Sequence, residues 1–399
     1  MSGRVLVVNA GSSSLKYRLV DVAAGEALAW GLAERVGQPS GRLTHSLPGR
    51  APDEVERPLP DHGVALGAAL EAFDRSGPRL ADAGLVAVAH RVVHGGDRFS
   101  APVRVDDDVL RAVRELATLA PLHNPVNATG IEVARRAFPG LPHVAVFDTA
   151  FHATLPPEAY TYAVPPQWAR DHGVRRYGFH GTSHAYVSRA AAELLGRPPE
   201  EVNTVVLHLG NGASATAVAG GRSVDTSMGM TPLEGLVMGT RSGDVDPAVV
   251  AHLHRVAGLG PDDVDRALNS SSGMLALAGT NDLREVHRRI AEGDASAALA
   301  LDVFCHRVRK YVGAYLAVLG RTDAIAFTGG IGENDPVVRS RSLAGLEPLG
   351  IRLDEEANAE RVPGARRISA GDGPVAVLVV PTDEELEMAR QAVALLEGH

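Results

Sequence analysis

The amino-acid sequence predicts an α/β protein made of two related units. Short β-rich runs alternate with longer segments of helical periodicity, a pattern typical of helices packed on a largely internal sheet. Two stretches about 200 residues apart share one plan, in which an apolar strand, a Gly/Ser turn with an Asn nearby and an outgoing strand follow each other. At 399 residues the chain also has room for two domains of roughly 150 residues each.

The first half is expected to begin with a hairpin. Apolar strands at Val5–Asn9 and Leu15–Asp21 flank a Gly/Ser turn, and the segment Gly37–Pro60, rich in Gly, Pro and charge, favours loops or a second hairpin. A domain boundary is expected near Ala150. The other elements predicted for this half are the strands Leu85–Val93 and His143–Phe147 and the helix Val109–Ala120.

The second half repeats the alternation. Its predicted strands are Thr204–Leu209, Ala215–Ala219, Arg222–Asp225, Ala324–Thr328 and Val375–Val380. Its predicted helices are Ala185–Leu195, Pro247–Val256, Ala295–Leu319 and Glu384–Leu396.

Composition excludes several classes of protein. The net charge of −9 opposes general nucleic-acid binding, because such a surface repels a polyanion. Cys305 is the only cysteine, and its helical surroundings favour a buried core thiol. No run reaches the roughly 18 apolar residues of a membrane span, and the first apolar run is too short for a signal peptide. We therefore expect a cytoplasmic protein that neither enters a membrane nor binds nucleic acid.

Three glycine-rich turns carry the first functional signals. The segment Asn9–Lys16 offers backbone N–H groups, hydroxyls and an ammonium to a phosphate, although it lacks P-loop spacing and leads into a strand. The segment His208–Gly212 repeats this strand–turn–strand device. The segment Thr328–Asn334 places glycines directly after a strand, where a backbone can approach a ligand closely. Any one turn is common, whereas two in matching positions indicate a bound nucleotide.

Five polar residues follow probable strands or lie in loops: Arg91, His123, Asp148, His180 and Arg241. Each alone has an ordinary interpretation, such as an ion pair for the arginines, a turn cap for the aspartate and surface or core structure for the histidines. Together they suit an anionic transition state.

A last polar segment lies at Pro381–Leu386. Thr382 and Glu385 have the spacing of a capping box, which would give Glu385 a structural role. Glu384 then remains as a candidate for the water shell of a metal ion, since Mg²⁺ uses few carboxylates and keeps several waters.

The ordered set of motifs resembles the acetate kinase family. The resemblance runs from Val5 to Leu386 and is carried by NAGSSSLK, HRVVHGG, PLHNP, VFDTAFH, RRYGFHGTSH, HLGNGAS, DTSMGMTPLEGLVMGTRSGDVDP, GTNDLRE, FTGGIGEN and PTDEEL. It implies two duplicated actin-like (ribonuclease H-like) α/β lobes with a nucleotide cleft between them. Residues 1–150, joined by a C-terminal helix over 385–399, would form the first lobe, and residues 151–384 the ATP-binding lobe. It also implies a homodimer.

The resemblance further implies roles for individual residues. Asn9 and Glu384 would position Mg²⁺, or alternatively Mn²⁺, through its waters. Arg91, Arg241, His180 and His123 would surround the reacting groups, and Asp148 would act as an acid/base or orient an active-site arginine. An apolar acyl pocket would comprise Val93, Leu122, Phe179 and Pro232. ATP would be bound by Ser12, Lys16, His208, Leu209, Gly210, Asn211, Gly212, Asp282, Leu283, Arg284, Gly330, Ile331, Gly332, Glu333 and Asn334.

The activity implied is reversible, direct in-line transfer of the γ-phosphoryl of ATP to acetate, giving acetyl phosphate and ADP. A propionate kinase would share the phosphate motifs and differ in the pocket, whereas an actin-like nucleotide switch would need neither paired arginines nor an acyl pocket. A catalytically inactive relative is disfavoured because no catalytic residue is missing. Asp383 is one departure, since the family usually has Asn there, and its charge could alter metal affinity.

Overall fold

The computed structural model describes residues 3–398 and divides them into two compact units. Unit 1 comprises residues 3–151 and 383–398, and unit 2 comprises His152–Thr382. The strands are β1 (Arg4–Gly11), β2 (Ser14–Asp21), β3 (Glu26–Glu34), β4 (Gly41–Ser46), β5 (Asp53–Arg57), β6 (Leu85–Val92), β7 (Val103–Arg104), β8 (His143–Phe147), β9 (Asn203–Leu209), β10 (Ala213–Ala219), β11 (Arg222–Thr226), β12 (Ala324–Thr328), β13 (Arg366–Arg367) and β14 (Ala376–Val379).

The α-helices are α1 (His62–Ser76), α2 (Asp107–Glu115), α3 (Asn124–Ala137), α4 (Pro157–Tyr160), α5 (Pro166–His172), α6 (Gly181–Leu194), α7 (Ala248–Ala257), α8 (Pro261–Ser270), α9 (Gly273–Ala278), α10 (Leu283–Ala291), α11 (Ala295–Leu319), α12 (Gly329–Asn334), α13 (Pro336–Leu343), α14 (Glu355–Ala359) and α15 (Glu384–Glu397).

Unit 1 is built on a mixed sheet with the strand order β5-β4-β3-β2-β1-β6-β8-β7. Strands β1 to β5 form an antiparallel meander, while β6 and β8 run parallel to β1. The helices α1 and α3 pack on this sheet, and so does α15, which contacts β1, β6 and β8. The apolar faces meet in a core that includes Leu6, Leu15, Leu19 and Phe73.

Unit 2 repeats the arrangement with the order β11-β10-β9-β12-β14-β13. In each unit three parallel strands form the centre, an antiparallel meander extends one edge, and a short antiparallel strand closes the other. Helix α6, which follows β8 along the chain, packs on β9 and β12, just as α15, which follows β14, packs on β1 and β6. The duplication inferred from the two glycine turns is thus confirmed at the level of the sheets.

Most predicted elements are confirmed, within a residue or two at their ends. The segment Gly37–Pro60 contains the hairpin of β4 and β5. The helix predicted over Val109–Ala120 begins earlier, at Asp107, and its α-helical part ends at Glu115, after which the chain forms a short 3₁₀ turn.

The predicted capping box at Thr382 is wrong. The residue that caps α15 is Asp383, whose carboxylate accepts a hydrogen bond from the backbone N–H of Leu386 at 2.9 Å. Thr382 instead shares a 2.9 Å hydrogen bond with the hydroxyl of Ser183. The sequence spacing allowed either cap, and the Asp carboxylate takes the position because Arg18 also holds it from β2.

Cys305 is buried on α11, as predicted. Across residues 3–398, the structure contains no helix that is both long and apolar enough to span a membrane.

Candidate functional site

In unit 1 an ion pair joins Arg91 to Asp148, whose side chain is almost fully buried. Arg91 lies near the end of β6, and Asp148 directly follows β8, where its N–H donates to the carbonyl of Val92 at 3.0 Å. The guanidinium donates from Nε to Oδ1 at 2.9 Å and from Nη2 to Oδ2 at 2.6 Å. Because the two strands are parallel neighbours, their carboxyl ends place both side chains at one edge of the sheet.

Two further charged residues act on this pair. Glu384, the first residue of α15, and His123, which precedes α3, both interact electrostatically with Asp148. Burial raises the pKa of Asp148, and the guanidinium of Arg91 opposes that rise by stabilising the carboxylate. The carboxylates of Asp148 and Glu384 raise the pKa of Arg91, so its charge is permanent. We call Arg91, His123, Asp148 and Glu384 the arginine–aspartate cluster.

Arg91 retains hydrogen-bonding capacity in this arrangement. Its Nε and Nη2 are bonded to Asp148, whereas Nη1 has no hydrogen-bond partner among residues 3–398. The side chain is 24% exposed, compared with 2% for Asp148. Asp148 therefore fixes the plane of a guanidinium whose remaining N–H groups can meet an anion.

The first glycine turn is a tight hairpin. Ser12 and Ser13 connect β1 to β2, and Asn9 stands directly opposite Lys16 in the register, so their side chains share one face of the sheet. Ser12 and Lys16 are exposed, and Asn9 is half-buried. The carbonyl of Ala10 accepts a hydrogen bond from Asn127 at 2.9 Å, which ties the strand before the turn to α3.

Asp383 has a structural role in unit 1. Its carboxylate caps α15 and pairs with the guanidinium of Arg18 at 2.7 and 3.1 Å. The charge of Asp383, where the resemblance implies Asn, is therefore matched by a cation on β2. This neighbour was not foreseeable from the sequence, because Arg18 and Asp383 lie 365 residues apart.

The donors of unit 1 fit a hard cation that keeps most of its waters. The amide oxygen of Asn9 and the carboxylate of Glu384 are oxygen ligands of the type that Mg²⁺ accepts. Among residues 3–398 no group of three or more His, Cys, Asp or Glu side chains could hold a metal by themselves. These donors suit a cation that binds few protein oxygens and fills the rest of its coordination shell with water and phosphate oxygens.

In unit 2 a group of histidines surrounds the start of α6: His180 is half-buried, and His184 and His208 are buried. His180 is the residue before this helix and adopts the left-handed conformation, with φ of 57°, which is uncommon outside glycine. Its Nδ1 is hydrogen-bonded to the hydroxyl of Ser214 on β10 at 2.9 Å, and its ring stacks on that of His208 with centroids 4.4 Å apart. His184, one helical turn later, is fully buried and bonds the same hydroxyl at 2.7 Å.

Arg241 is a half-buried cation without a carboxylate partner. Its Nη1 donates to the carbonyl of Pro232 at 2.8 Å, and no ion pair of its guanidinium occurs within the described part of the chain. Burial lowers the pKa of Arg241, and no carboxylate among residues 3–398 offsets this effect. A partly desolvated guanidinium of this kind is poised for an anionic ligand.

Arg241 and His180 converge on Gly212. A Cβ added at Gly212 would lie 3.5 Å from Cε1 and Nε2 of His180 and 3.7 Å from Nη2 of Arg241. Glycine at this position leaves room beside both groups. The arrangement presents an imidazole and a guanidinium to one small volume, as an oxyanion or phosphoryl group requires.

The long loop that carries Arg241 is fixed by backbone contacts. Gly235 has a φ of 107°, and a Cβ added there would lie 2.6 Å from the carbonyl oxygen of Ser227. Only glycine therefore fits at this position. Its N–H donates to Asp244 at 2.8 Å, and its carbonyl accepts from Arg307 at 3.0 Å. These contacts position the motif DTSMGMTPLEGLVMGTRSGDVDP, although it forms no regular element over most of its length.

Unit 2 also contains a cavity of about 780 Å³ whose lining includes eight of the predicted ATP-binding residues. Asn211 and Asn281 meet there through a 3.0 Å hydrogen bond, and Arg284 pairs with Asp282 at 2.7 Å. Hydrogen bonds from Arg284 lower the pKa of Asp282 to about 2. The predicted residues that line the cavity are Gly210, Asn211, Asp282, Leu283, Arg284, Gly330, Ile331 and Asn334.

Other predicted ATP-binding residues lie outside this lining. Leu209 is fully buried in β9. Gly332 packs against Phe327 of β12, since a Cβ added at Gly332 would lie 3.4 Å from the Phe327 backbone. The carboxylate of Glu333 accepts from the N–H of Gly329 at 3.0 Å, which closes the turn after β12. His208 belongs to the histidine group, and Gly212 lies beside His180 and Arg241.

The four residues proposed for an acyl pocket are divided between the units. In unit 1 Leu122 is 71% exposed, an unusual state for leucine, and Val93 is half-buried. In unit 2 Phe179 is fully buried and Pro232 is half-buried. Pro232 also holds Arg241 through its carbonyl.

Several residues of the cavity escaped the sequence analysis. Asn281 had a usable signal, since it stands inside the motif GTNDLRE next to Asp282. His287 and Asp335, paired at 2.7 Å, and Phe304 on α11 had none, because only packing of α10, α11 and α13 brings them to the cavity. Ser214 was likewise missed, although it is the last residue of the motif HLGNGAS, because only the fold brings His180 and His184 to its hydroxyl.

Comparison with known proteins agrees with this geometry. A model of the acetokinase family matches residues 4–390. An acetate kinase from Leifsonia xyli subsp. xyli is 61% identical over 389 residues, covering 98% of this chain and 98% of that protein.

Solved structures give the same assignment. An acetate kinase from Porphyromonas gingivalis superposes with a TM-score of 0.94 at 42% identity, covering 99% of this chain and all of that one (100%). A propionate kinase from Francisella tularensis subsp. tularensis superposes with a TM-score of 0.92 at 39% identity, covering 98% of this chain and 99% of that one. The family model and the relatives span nearly the whole sequence, and the chain belongs to the acetokinase family.

Proposed function

We propose that this protein transfers the γ-phosphoryl group of ATP to the carboxylate of acetate, reversibly, giving acetyl phosphate and ADP. The observation that carries the proposal is the half-buried guanidinium of Arg241, which has no carboxylate partner among residues 3–398 and converges with His180 on Gly212. A phosphoryl group in transfer spreads negative charge over its equatorial oxygens, and such donors stabilise it.

The chemistry needs charge stabilisation more than a strong base. Acetate is ionised at neutral pH and is already a nucleophile, so its oxygen attacks the γ-phosphorus directly while ADP departs in line. Arg91 would hold the acid's carboxylate with the guanidinium edge that Asp148 leaves available. Since both oxygens of Asp148 are bonded to Arg91, we assign Asp148 an orienting role, with His123 supporting the same cluster.

The cavity of unit 2 is the proposed site of the adenosine part of ATP. Its glycines and mixed lining fit a nucleotide, and its volume of about 780 Å³ lies within the usual range of ligand sites, roughly 300–1,000 Å³. Lys16 and Ser12 of unit 1 would bind phosphate oxygens, as would the turn at Gly210–Gly212.

A divalent cation completes the proposal. Asn9 and Glu384 would hold Mg²⁺, with Mn²⁺ as an alternative, through its water molecules. When bound, such a cation neutralises phosphate charge and orders the β- and γ-phosphates.

Acetate is favoured over propionate as the acceptor. The apolar residues Val93, Leu122, Phe179 and Pro232 would surround the methyl group, and a branched valine limits the depth of such a pocket. One methylene group is worth only about 1–3 kcal/mol of discrimination, so propionate is expected to react more slowly and not to be excluded. Both acceptors occur among the structural relatives by name.

The assembly and location of the enzyme are further parts of the proposal. Family resemblance supports a homodimer, which analytical ultracentrifugation would identify by a mass twice the 41.8 kDa of one chain. Use of ATP supports a cytoplasmic location.

The decisive assay is hydroxylamine trapping of acyl phosphate formed from ATP and Mg²⁺ with acetate, propionate or butyrate in parallel. The proposal expects the highest kcat/KM for acetate. The highest value for propionate would retain the mechanism and reject the assignment of the pocket. No acyl phosphate from any acid, with ATP binding intact, would favour a nucleotide switch or an inactive relative.

A further inference from the structure

We infer that Ser214 and His184 are positioning residues that fix the tautomer of His180, so that its Nε2 carries the proton directed at the transferring phosphoryl group. The inference starts from one hydroxyl, Oγ of Ser214, which lies 2.9 Å from Nδ1 of His180 and 2.7 Å from Nε2 of His184. Ser214 is fully buried, and its hydroxyl has no other hydrogen-bond partner in the described chain.

A serine hydroxyl has one proton to donate, so this chain of hydrogen bonds has a direction. In one direction Nε2–H of His184 donates to Oγ, and the hydroxyl donates to Nδ1 of His180, which leaves the His180 proton on Nε2. In the other direction His180 donates from Nδ1, the hydroxyl donates to Nε2 of His184, and His184 must carry its proton on Nδ1.

The second direction is disfavoured by the surroundings of His184. Its Nδ1 is buried and has no hydrogen-bond partner within residues 3–398. A proton there would be an orphaned N–H donor, which is rarer in proteins than an unsatisfied acceptor. Burial also holds the pKa of His184 well below its ordinary value, so this ring stays neutral and has a single proton to place.

Protonation of both His180 nitrogens is also opposed. Nδ1–H would then donate to Ser214, and either the serine hydroxyl would be left without an acceptor or His184 would carry an orphaned Nδ1–H. Within unit 2, His180 lies beside His208 of β9 and Arg241 of the loop, and the hydroxyl of Ser214 links it to His184. The arrangement therefore favours a neutral His180 with its proton on Nε2.

This tautomer is the one that phosphoryl transfer requires. Nε2 of His180 faces the space beside Gly212 that Nη2 of Arg241 also faces. Phosphoryl oxygens offer only lone pairs, so an imidazole nitrogen directed at them must carry a hydrogen. The consequence for catalysis rests on the proposed function, whereas the tautomer is a property of the free protein.

The first test is nitrogen-15 NMR of the imidazoles in the unligated protein, with the His180 signals assigned from their loss in His180→Asn. We expect Nδ1 of His180 to be unprotonated and Nε2 to be protonated at neutral pH. A proton on Nδ1 would overturn the inference, whether or not the protein proves to be an acetate kinase.

The second test is Ser214→Ala, which removes the bridging hydroxyl and leaves His180 and Arg241 in place. We expect kcat to fall on the order of tenfold or more, with little change in KM for either substrate, because the lost effect is confined to the transition state. The loss should be smaller at pH 6 than at pH 8, since protonation of His180 restores a hydrogen on Nε2 whatever its neutral tautomer.

Thr216→Val is the matched control, because it removes another buried hydroxyl from the same strand, one bonded to Thr226 and not to a histidine. Its kcat should stay within about twofold of the parent. A folded Ser214→Ala variant with the parent's kcat and pH profile would refute the positioning role, and the NMR measurement decides the matter should that variant fail to fold.

Discussion

At the scale of single residues, the site is defined by how each arginine is paired. Arg91 is bonded through two nitrogens to Asp148, while the contacts of Arg241 among residues 3–398 are with a backbone carbonyl and a sulfur atom. Asp148 therefore orients the guanidinium of Arg91, whereas the guanidinium of Arg241 is available to an anionic ligand. This difference predicts different responses to mutation.

Arg241→Ala is expected to lower kcat for acyl phosphate formation on the order of 10³-fold or more, by analogy with arginine fingers. Arg241→Lys should recover little of this, because an ammonium lacks the planar fork. The control is Arg255→Ala, at an exposed arginine of α7, which should keep full activity. With the fold verified by circular dichroism, a loss below about tenfold would remove Arg241 from the proposed role.

The role of Asp148 can be tested with a double-mutant cycle on kcat/KM for acetate. If Asp148 acts only by orienting Arg91, then Arg91→Ala with Asp148→Ala should be no worse than Arg91→Ala alone. An independent role as a base predicts instead that the two losses multiply. The exposed pair Arg57 and Glu71, 2.6 Å apart in unit 1, gives a comparison in which both single variants and the double variant should match the parent.

At the scale of elements, α15 is the helix whose start joins stability to function. Asp383 caps this helix and pairs with Arg18 of β2, and the next residue is Glu384, the proposed metal-binding carboxylate. The same few bonds thus hold the helix on its sheet and place Glu384. Loss of the cap should be seen first as a loss of stability.

Asp383→Ala is expected to lower the free energy of unfolding by about 1–2 kcal/mol, mostly through the lost helix cap. Asp383→Asn keeps a capping oxygen and should cost less. Urea denaturation measures both. Asp106→Ala removes the cap of α2, where no arginine pairs with the capping carboxylate among the described residues, and so isolates the effect of capping.

The same variants address metal binding. Because Arg18 neutralises Asp383, Asp383→Asn should leave the Mg²⁺ concentration for half-maximal activity within about twofold of the parent's. A larger change would show that the charge of Asp383 is felt at the metal.

At the scale of the whole molecule, buried histidines couple stability to pH. Burial lowers the pKa of His90 in unit 1 to about 3 and that of His152 in unit 2 to about 4. An unfolded chain would protonate both rings near pH 6.5. Between that pH and the folded-state values the unfolded state binds more protons, so stability must fall as the pH falls.

We expect the free energy of unfolding to decrease from pH 7.5 to pH 5, by up to about 1.4 kcal/mol per pH unit for each such histidine. The urea midpoint of unfolding should decrease with it. His152→Gln should flatten this dependence for unit 2, whereas His252→Gln, at an exposed position of α7, should leave it unchanged. A midpoint that is constant over this range would contradict the assignment of neutral buried rings.

The sequence by itself determined the architecture and much of the residue set. Alternating apolar runs with glycine turns predicted the strands, and the repeat predicted the duplicated sheets, because burial on a pleated surface and turn geometry are local properties that sequence records directly. The ordered motifs likewise predicted the family and the residues of the turns.

Only the tertiary structure decided which side chains meet. The pairing of Asp383 with Arg18 and the sharing of the Ser214 hydroxyl between His180 and His184 join residues far apart in the sequence, so the residues around each give no sign of its partner. Partners of this kind come from different strands and helices, and the same polar side chain can cap a helix, bind a ligand or close a turn. Which of these it does depends on the donor or acceptor that folding brings within about 3 Å of it, because hydrogen bonds weaken steeply beyond that distance.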